Sequence, residues 1–270
     1  MPPFLAALLL AAALSPKSTA HAVHSAPRPP ARARASRAHP PAPAPRLEAV
    51  TAEVLSRGSR LGHDVALTFD ACSTRANELD ARIVRILVAT HTPATIFLGG
   101  RWTEHNQAQV RYLASLPQIE LENHTWSHPH MTRLSPARVR AELLRTEDQV
   151  YAVTGKEPTF WRPPFGEYDT KVVETAAALG LMTVEYDLPS GDPDPHATAP
   201  RLVDWVLRKV RPGDIVVMHL NHLKFHTAEA LPAIIRGLRQ RGFKLVTVRE
   251  LLADGPLLAP GAPGPKDPKR

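Results

Sequence analysis

The feature that most constrains this chain is a regular alternation, from about residue 50 to residue 253, of short apolar runs with longer segments of helical period. Seven runs read as strands: Val65–Phe69, Ala94–Leu98, Ile119–Glu122, Thr159–Arg162, Met182–Tyr186, Asp214–Met218 and Phe243–Val248. Each is short, apolar and bounded by turn residues. Between them lie helical stretches with recognisable ends. Asp80 caps one running to about Thr90, and Ser135 caps a long one through Val153 that Gly155 closes. Asp169 caps a helix ending at Gly180, and Gly242 closes the one before Phe243. Along the long helix Val139, Leu143, Val150 and Val153 fall on or near one face, the pattern of core packing. Strands that alternate with helices in this way run parallel and are buried on both faces. The expected fold is α/β, a distorted (β/α) barrel of seven parallel strands, in which functional groups gather at the C-terminal strand ends.

The chemically distinctive residues fall at those ends. Asp70 closes the first strand, Asn123 and His124 follow the third, and Arg162 ends the fourth. Asp187 and Asp192 follow the fifth, and His219 ends the sixth. His124 and His128, four apart with Thr125 directly after the first, form a pincer for a borderline metal such as zinc. Asp70, at the end of an apolar strand, suits the general base that turns metal-activated water into a nucleophile. With 13 histidines in 270 residues, the spacing alone is weak. The collection of a base, two histidines, an arginine and a further histidine at one rim is the stronger signal.

The flanks point to export. Leu5 through Leu14 is a Leu/Ala run too short to span a bilayer, and Ala20-His21-Ala22 has the small-x-small pattern of a cleavage site. Residues 1–22 therefore read as a signal peptide, with a periplasmic or extracellular location and no stable transmembrane segment after processing. Residues 23–49 are rich in Pro, Ala and Arg, and residues 254–270 in Pro and Gly, compositions that build no core. One domain, 50–253, remains. The net charge is +7, and Arg28, Arg32, Arg34, Arg37 and Arg46 precede the first acidic residue, Glu48. That arm has no interleaved aromatics, which argues against a nucleic-acid partner and for a soluble tether. The single cysteine, Cys72, excludes an internal disulfide.

The motifs occur in a telling order: Thr68-Phe69-Asp70, then His124-Thr125-x-x-His128, then Arg162-Pro163-Pro164-Phe165-Gly166, then an acidic segment with Asp192, then a strand ending in His219. In this the chain resembles the polysaccharide deacetylases of carbohydrate esterase family four, which share the nodulation-protein-B homology domain. The resemblance covers about residues 63 to 252, nearly the whole core. It implies a metal-dependent hydrolase that removes acetyl groups from N- or O-acetylated sugars. His124 and His128 would be metal ligands, Asp70 the base, and Arg162 the partner that keeps Asp70 ionised. His219 would be the general acid, oriented by Asp192, with Asp187 as the rival for that role. The backbone N–H of Phe165 would help stabilise the oxyanion. His222 and His226 compete with His219 but lie beyond the strand, and His130, Trp126 and Trp161 read as wall or core. The implied cofactor is a divalent metal, zinc first, with cobalt or nickel as substitutes. The implied partner is an acetylated glycan: peptidoglycan, an exopolysaccharide or a chitin-like polymer. Its choice rests on loops around Arg101–Asn106 and Asp192–Thr198.

One departure stands out. The family commonly carries a second Asp directly after the base, as a metal ligand, and this chain has Ala71 there. Cys72, Asp80, or water or Asp70 itself on the two histidines can fill the place, with Asp80 or water favoured over Cys72. The rival reading is a catalytically impaired, glycan-binding relative.

Overall fold

The computed structural model describes residues 49–72 and 79–253. The expected signal segment, the linker up to residue 48 and the tail from residue 254 lie outside the described residues. In chain order the elements are β1 (Val54–Leu55), β2 (Asp64–Ala71), α1 (Ala81–Ala89), β3 (Ala94–Leu98), α2 (Gly100–His105) and α3 (Gln107–Ser115). Then come β4 (Ile119–Asn123), α4 (Pro136–Thr154), β5 (Phe160–Trp161), α5 (Thr170–Ala177), β6 (Met182–Val184) and β7 (Leu188–Pro189). The chain continues through α6 (Ala199–Lys209), β8 (Ile215–His219), α7 (Thr227–Gln240), β9 (Lys244–Val246) and α8 (Val248–Ala253).

All seven expected strands are present, and every paired strand in the sheet is parallel. The order is β1-β6-β5-β4-β3-β2-β8-β7, with β9 also on β2. The two additional strands, β1 and β7, have two residues each, too few to leave a periodic signal. β1 lies on β6, and Arg57 just beyond it bridges Asp214 at the root of β8. One short segment thus touches both flanks of the curled sheet. Gly213 permits that approach: at φ 82 it has no Cβ, which would lie 2.5 Å from the Ser59 carbonyl oxygen.

Alternation along β2 assigns its two faces. Val65, Leu67, Phe69 and Ala71 join Ile83 and Leu87 of α1 and Leu231 and Ile234 of α7 in the largest core cluster. A fully buried Leu, Ile or Phe stabilises the fold by about 1.5–3 kcal/mol. Ala66, Thr68 and Asp70 face inward. Val139 and Leu143 of α4 pack with Trp161 and Leu179 in another cluster. Capping is as the sequence indicates: Asp80, Ser135 and Asp169 each accept a backbone N–H at the start of α1, α4 and α5, and Gly155 closes α4 at φ 68.

The segment expected as a loop at Arg101–Asn106 is instead mostly helix α2, with Trp102 fully buried. Its six residues follow Gly99, which offers no side-chain cap, so the start signal is missing. No helix among the described residues is long and apolar enough to cross a membrane.

Candidate active site

Asp70 is the penultimate residue of β2 and only 5% exposed. Its Oδ1 accepts a hydrogen bond from Arg162 Nη1 at 2.9 Å, and its Oδ2 lies 3.8 Å from His124 Nε2. Arg162 is fully buried, one residue beyond the end of β5. The same Nη1 donates to Thr68 Oγ1 at 2.8 Å, and the guanidinium carbon lies 4.0 Å from the centre of the Phe97 ring. A buried guanidinium with a carboxylate and a hydroxyl to bind is held to one geometry.

His124 follows β4. Its Nδ1 faces the Arg162 carbonyl at 2.9 Å, an acceptor only, so Nδ1 carries the proton and Nε2 presents a lone pair. Asn123 shapes the loop that follows. Its Oδ1 accepts from Thr125 N at 2.9 Å, and its Nδ2 donates to the Leu143 carbonyl at 3.0 Å. Thr125 and His128 then take left-handed backbone conformations, φ 63 and φ 59, which non-glycine residues hold only under surrounding constraint. Cys72 Sγ lies 3.7 Å from His124 Nε2. Cys72, His124 and His128 each offer a ligand atom, all within 4.8 Å of one another. This donor set fits a d-block dication, since the free Nε2, the sulfur and the second imidazole converge. Burial raises the Cys72 thiol pKa, but hydrogen bonds with His124, His128, His219 and His222 outweigh it and bring the pKa well below the usual value. Burial opposes protonation of His124, and the Asp70 charge and its other partners outweigh that, so its pKa is raised.

Asp80 is not at this cluster. Its carboxylate caps α1 through Arg82 N at 3.0 Å and binds the Arg82 guanidinium, with Nη2 at 2.7 Å. The capping role that the sequence suggested excludes the ligand role.

His219 ends β8 with Nδ1 2.9 Å from Asp192 Oδ1. Asp192 is 2% exposed; its Oδ2 accepts from His219 N and from Thr227 Oγ1, both at 2.7 Å. Burial raises the Asp192 pKa, but the His219 ring and these donors prevail and lower it. Burial likewise lowers the His219 pKa, and Asp192 and Cys72 outweigh it and raise it well above the usual value. Asp187, the rival, is elsewhere: it pairs with Arg60 and accepts from Ile215 N at 3.0 Å. His222 stacks on Phe225 and meets His219 edge-on, with ring centres 5.6 Å apart. His226 sits 3.8 Å from Glu229 on α7.

Phe165 lies in a tight turn, Pro164–Gly166, at φ 62. Its ring is 56% exposed, edge-on to His128 at 4.6 Å and stacked on His130 at 4.4 Å. His130 pairs with Glu167 at 2.8 Å and so forms part of the rim. Trp126 and Trp161 are buried, as expected of wall and core. Two residues escaped the sequence reading. Thr227 was inconspicuous at the start of α7. Glu185, just past β6, is buried with Oε1 unpartnered among the described residues. Burial, with the nearby Asp70 charge adding to it, pushes its pKa up to about 7.

The polysaccharide deacetylase family model matches residues 57–184. The bifunctional xylanase/xylan deacetylase of Cellvibrio japonicus is 32% identical over 188 residues, 68% of this chain and 27% of that protein. The peptidoglycan-N-acetylglucosamine deacetylase PgdA of Listeria monocytogenes is 29% identical over 191 residues, 70% of this chain and 39% of that protein. This chain thus spans well under half of either relative. Among solved structures, BA3943 of Bacillus anthracis, a pseudoenzyme of carbohydrate esterase family four, is 30% identical with a TM-score of 0.69, covering 75% of this chain and 69% of that one. A BA3943 mutant with restored enzymatic activity superposes equally well, at 31% identity and a TM-score of 0.69, covering 72% of that chain.

Proposed function

Since this chain belongs to the polysaccharide deacetylases of carbohydrate esterase family four, we propose that it is an exported, metal-dependent hydrolase removing acetyl groups from an envelope or extracellular glycan. The observation that carries this reading is the convergence on one donor cluster of a carboxylate clamped by an arginine and a histidine clamped by a carboxylate.

His124 and His128 would hold the metal, zinc by preference with cobalt or nickel as substitutes, alongside a third donor. When bound, it supplies Lewis-acid activation of water and of the acyl carbonyl. The remaining work falls to the chain. Asp70 takes the proton from the attacking water, and the Arg162 contact holds and aims that carboxylate. The N–H of Phe165, presented by its left-handed turn, donates to the developing oxyanion. His219 delivers a proton to the leaving amine or alkoxide. Asp192 fixes its tautomer by accepting from Nδ1, so Nε2 is the working atom. Asp70 and Arg162 are both buried, so the reacting charges sit away from bulk water.

Peptidoglycan or an exopolysaccharide suits an exported protein, and the activities named for PgdA and for the xylan deacetylase support an acetylated polysaccharide as substrate class. Export rests on the apolar run from Leu5 to Leu14 and the small-x-small triplet after it. The second reading, a glycan-binding protein with an impaired site, is favoured by Ala71 and by the similarity to the pseudoenzyme BA3943. Release of acetate from peptidoglycan, chitin oligomers and acetylated xylan separates the two. Zinc-dependent release, abolished by chelator, is expected. Glycan binding with no release under any divalent metal would favour the second reading.

A further inference from the structure

Alternation along β2 settles more than the place of the base. Ala71, directly after Asp70, packs in the core cluster with Val65, Leu67 and Phe69, so its Cβ turns away from the site. Cys72, two residues after Asp70, returns to the inner face. The residue is 5% exposed, and its sulfur lies 3.7 Å from the lone-pair nitrogen of His124. With metal–sulfur and metal–nitrogen bonds of about 2.3 and 2.0–2.1 Å, a tetrahedral centre separates its S and N donors by about 3.6 Å. The backbone at Cys72 is also braced, because Asn221 Nδ2 donates to its carbonyl at 2.7 Å and Asn221 is fully buried. His124 is oriented in turn by the Arg162 carbonyl. Both donors therefore have the outer support that metal ligands characteristically receive.

We propose that Cys72 is the third protein ligand, making this a Cys–His–His centre selective for zinc or cobalt over magnesium, manganese or calcium. The inference rests on the reading of His124 and His128 as metal ligands. On binding, the Cys72 S–H bond breaks, its proton goes to solvent, and a metal–sulfur bond forms with no change of oxidation state. A thiolate donor suits borderline and soft ions, whereas the hard cations favour carboxylate and carbonyl oxygens. As the only cysteine of the chain, it has no intramolecular disulfide partner to divert it.

The test is a titration of the metal-free full chain, under reductant, with cobalt(II), followed by absorption. Wild type is expected to show visible ligand-field bands together with a near-ultraviolet sulfur-to-cobalt charge-transfer band at one equivalent. Excess magnesium should not displace the ion. Cys72→Ala should lack the charge-transfer band and bind more than about 100-fold more weakly, beyond the loss typical of supporting residues alone. Its metal-free circular dichroism and melting should match wild type. Cys72→Ser, close in size, should lose the same band. Ligand-field bands without charge transfer in wild type, or equal affinity in Cys72→Ala, would overturn the thiolate ligand and leave the histidine pair standing. Wild type that binds neither cobalt nor zinc would overturn the metal-dependent reading as well.

Discussion

Asp70 and His219 are register partners across the β2–β8 pair, and Leu220 N donates to the Asp70 carbonyl at 3.0 Å immediately above them. The proposed base and acid are thus neighbours on two hydrogen-bonded strands of the sheet, not residues on separate loops. Their separation is set by strand spacing, so neither can drift without breaking the β2–β8 pairing. Arg162 and Asp192 then aim the two side chains from either flank. Rigid elements carry the proposed proton-transfer groups, which is what positioning to within a fraction of an ångström requires.

Asp70→Asn removes the base while preserving shape and one acceptor oxygen. Turnover should fall by about 10²–10⁴-fold, and the melting temperature should fall as well, because the amide leaves the buried Arg162 charge uncompensated. His219→Ala should cost a comparable factor. Because base and acid act in one reaction, the double variant should be little worse than the poorer single one. Steady-state kinetics of the three variants on one acetylated oligosaccharide measure this, and full additivity would contradict a shared mechanism.

Arg162→Met should act on stability as well as rate. It strands the buried Asp70 carboxylate and leaves Thr68 without its donor. Breaking a buried ion pair from one side costs about 3–5 kcal/mol, which for a domain of this size lowers the melting temperature by roughly 10 °C. Arg162→Lys keeps the charge but gives up the planar fork that also reaches the Val184 and Glu185 carbonyls and lies over Phe97, so it should fall between the two. Thermal melts of the metal-free proteins give the ranking directly.

Asp192→Asn keeps an oxygen beside His219 Nδ1 but removes the charge, and its amide can hold the ring in the wrong tautomer. The kcat should drop by up to about 10⁴-fold with KM little changed, since the group acts on a histidine and not on the glycan. Asp187→Ala should leave both constants near wild type, because Asp187 lies on Arg60. Equal losses in the two variants would reverse the choice of orienting carboxylate.

How far the sequence revealed this arrangement follows from signal length. Strands of three to eight residues with apolar faces, and helices started by Asp80, Ser135 and Asp169, leave patterns that can be read directly. Asp70, His124, Arg162 and His219 could be picked out as candidates because each stands at or just past a strand end, as with Asn123 before His124 or Pro163 after Arg162. The two-residue β1 and β7 and the uncapped α2 leave no such trace, whereas the equally short β5 was legible from the bounded run Thr159–Arg162 around it. Choices that depend on which way a side chain turns were beyond reach, as with Asp187 toward Arg60 and Glu185 beneath the Gly166 turn. A sequence gives the acids; only packing says which ones face the site.

At the opposite end of β8, a carboxylate pair makes stability depend on pH. Asp187 and Asp214 share Arg60, and burial together with the Asp214 charge pushes the Asp187 pKa up to about 7. An unfolded Asp titrates near 3.9, so the folded form holds a proton on Asp187 between about pH 4 and pH 7 that the unfolded chain has released. Its contribution to stability is therefore complete below about pH 4 and is lost as pH rises through 7. Asp187→Asn mimics the protonated state, and its amide oxygen can still accept the Ile215 N–H. The variant should match wild type at about pH 4 and exceed it at pH 8 by about 1–2 kcal/mol, after allowance for solvent screening of a partly exposed group. Urea unfolding at the two pH values checks this. A variant less stable than wild type at pH 8 would show that the Arg60 pairing outweighs the crowding of the two carboxylates.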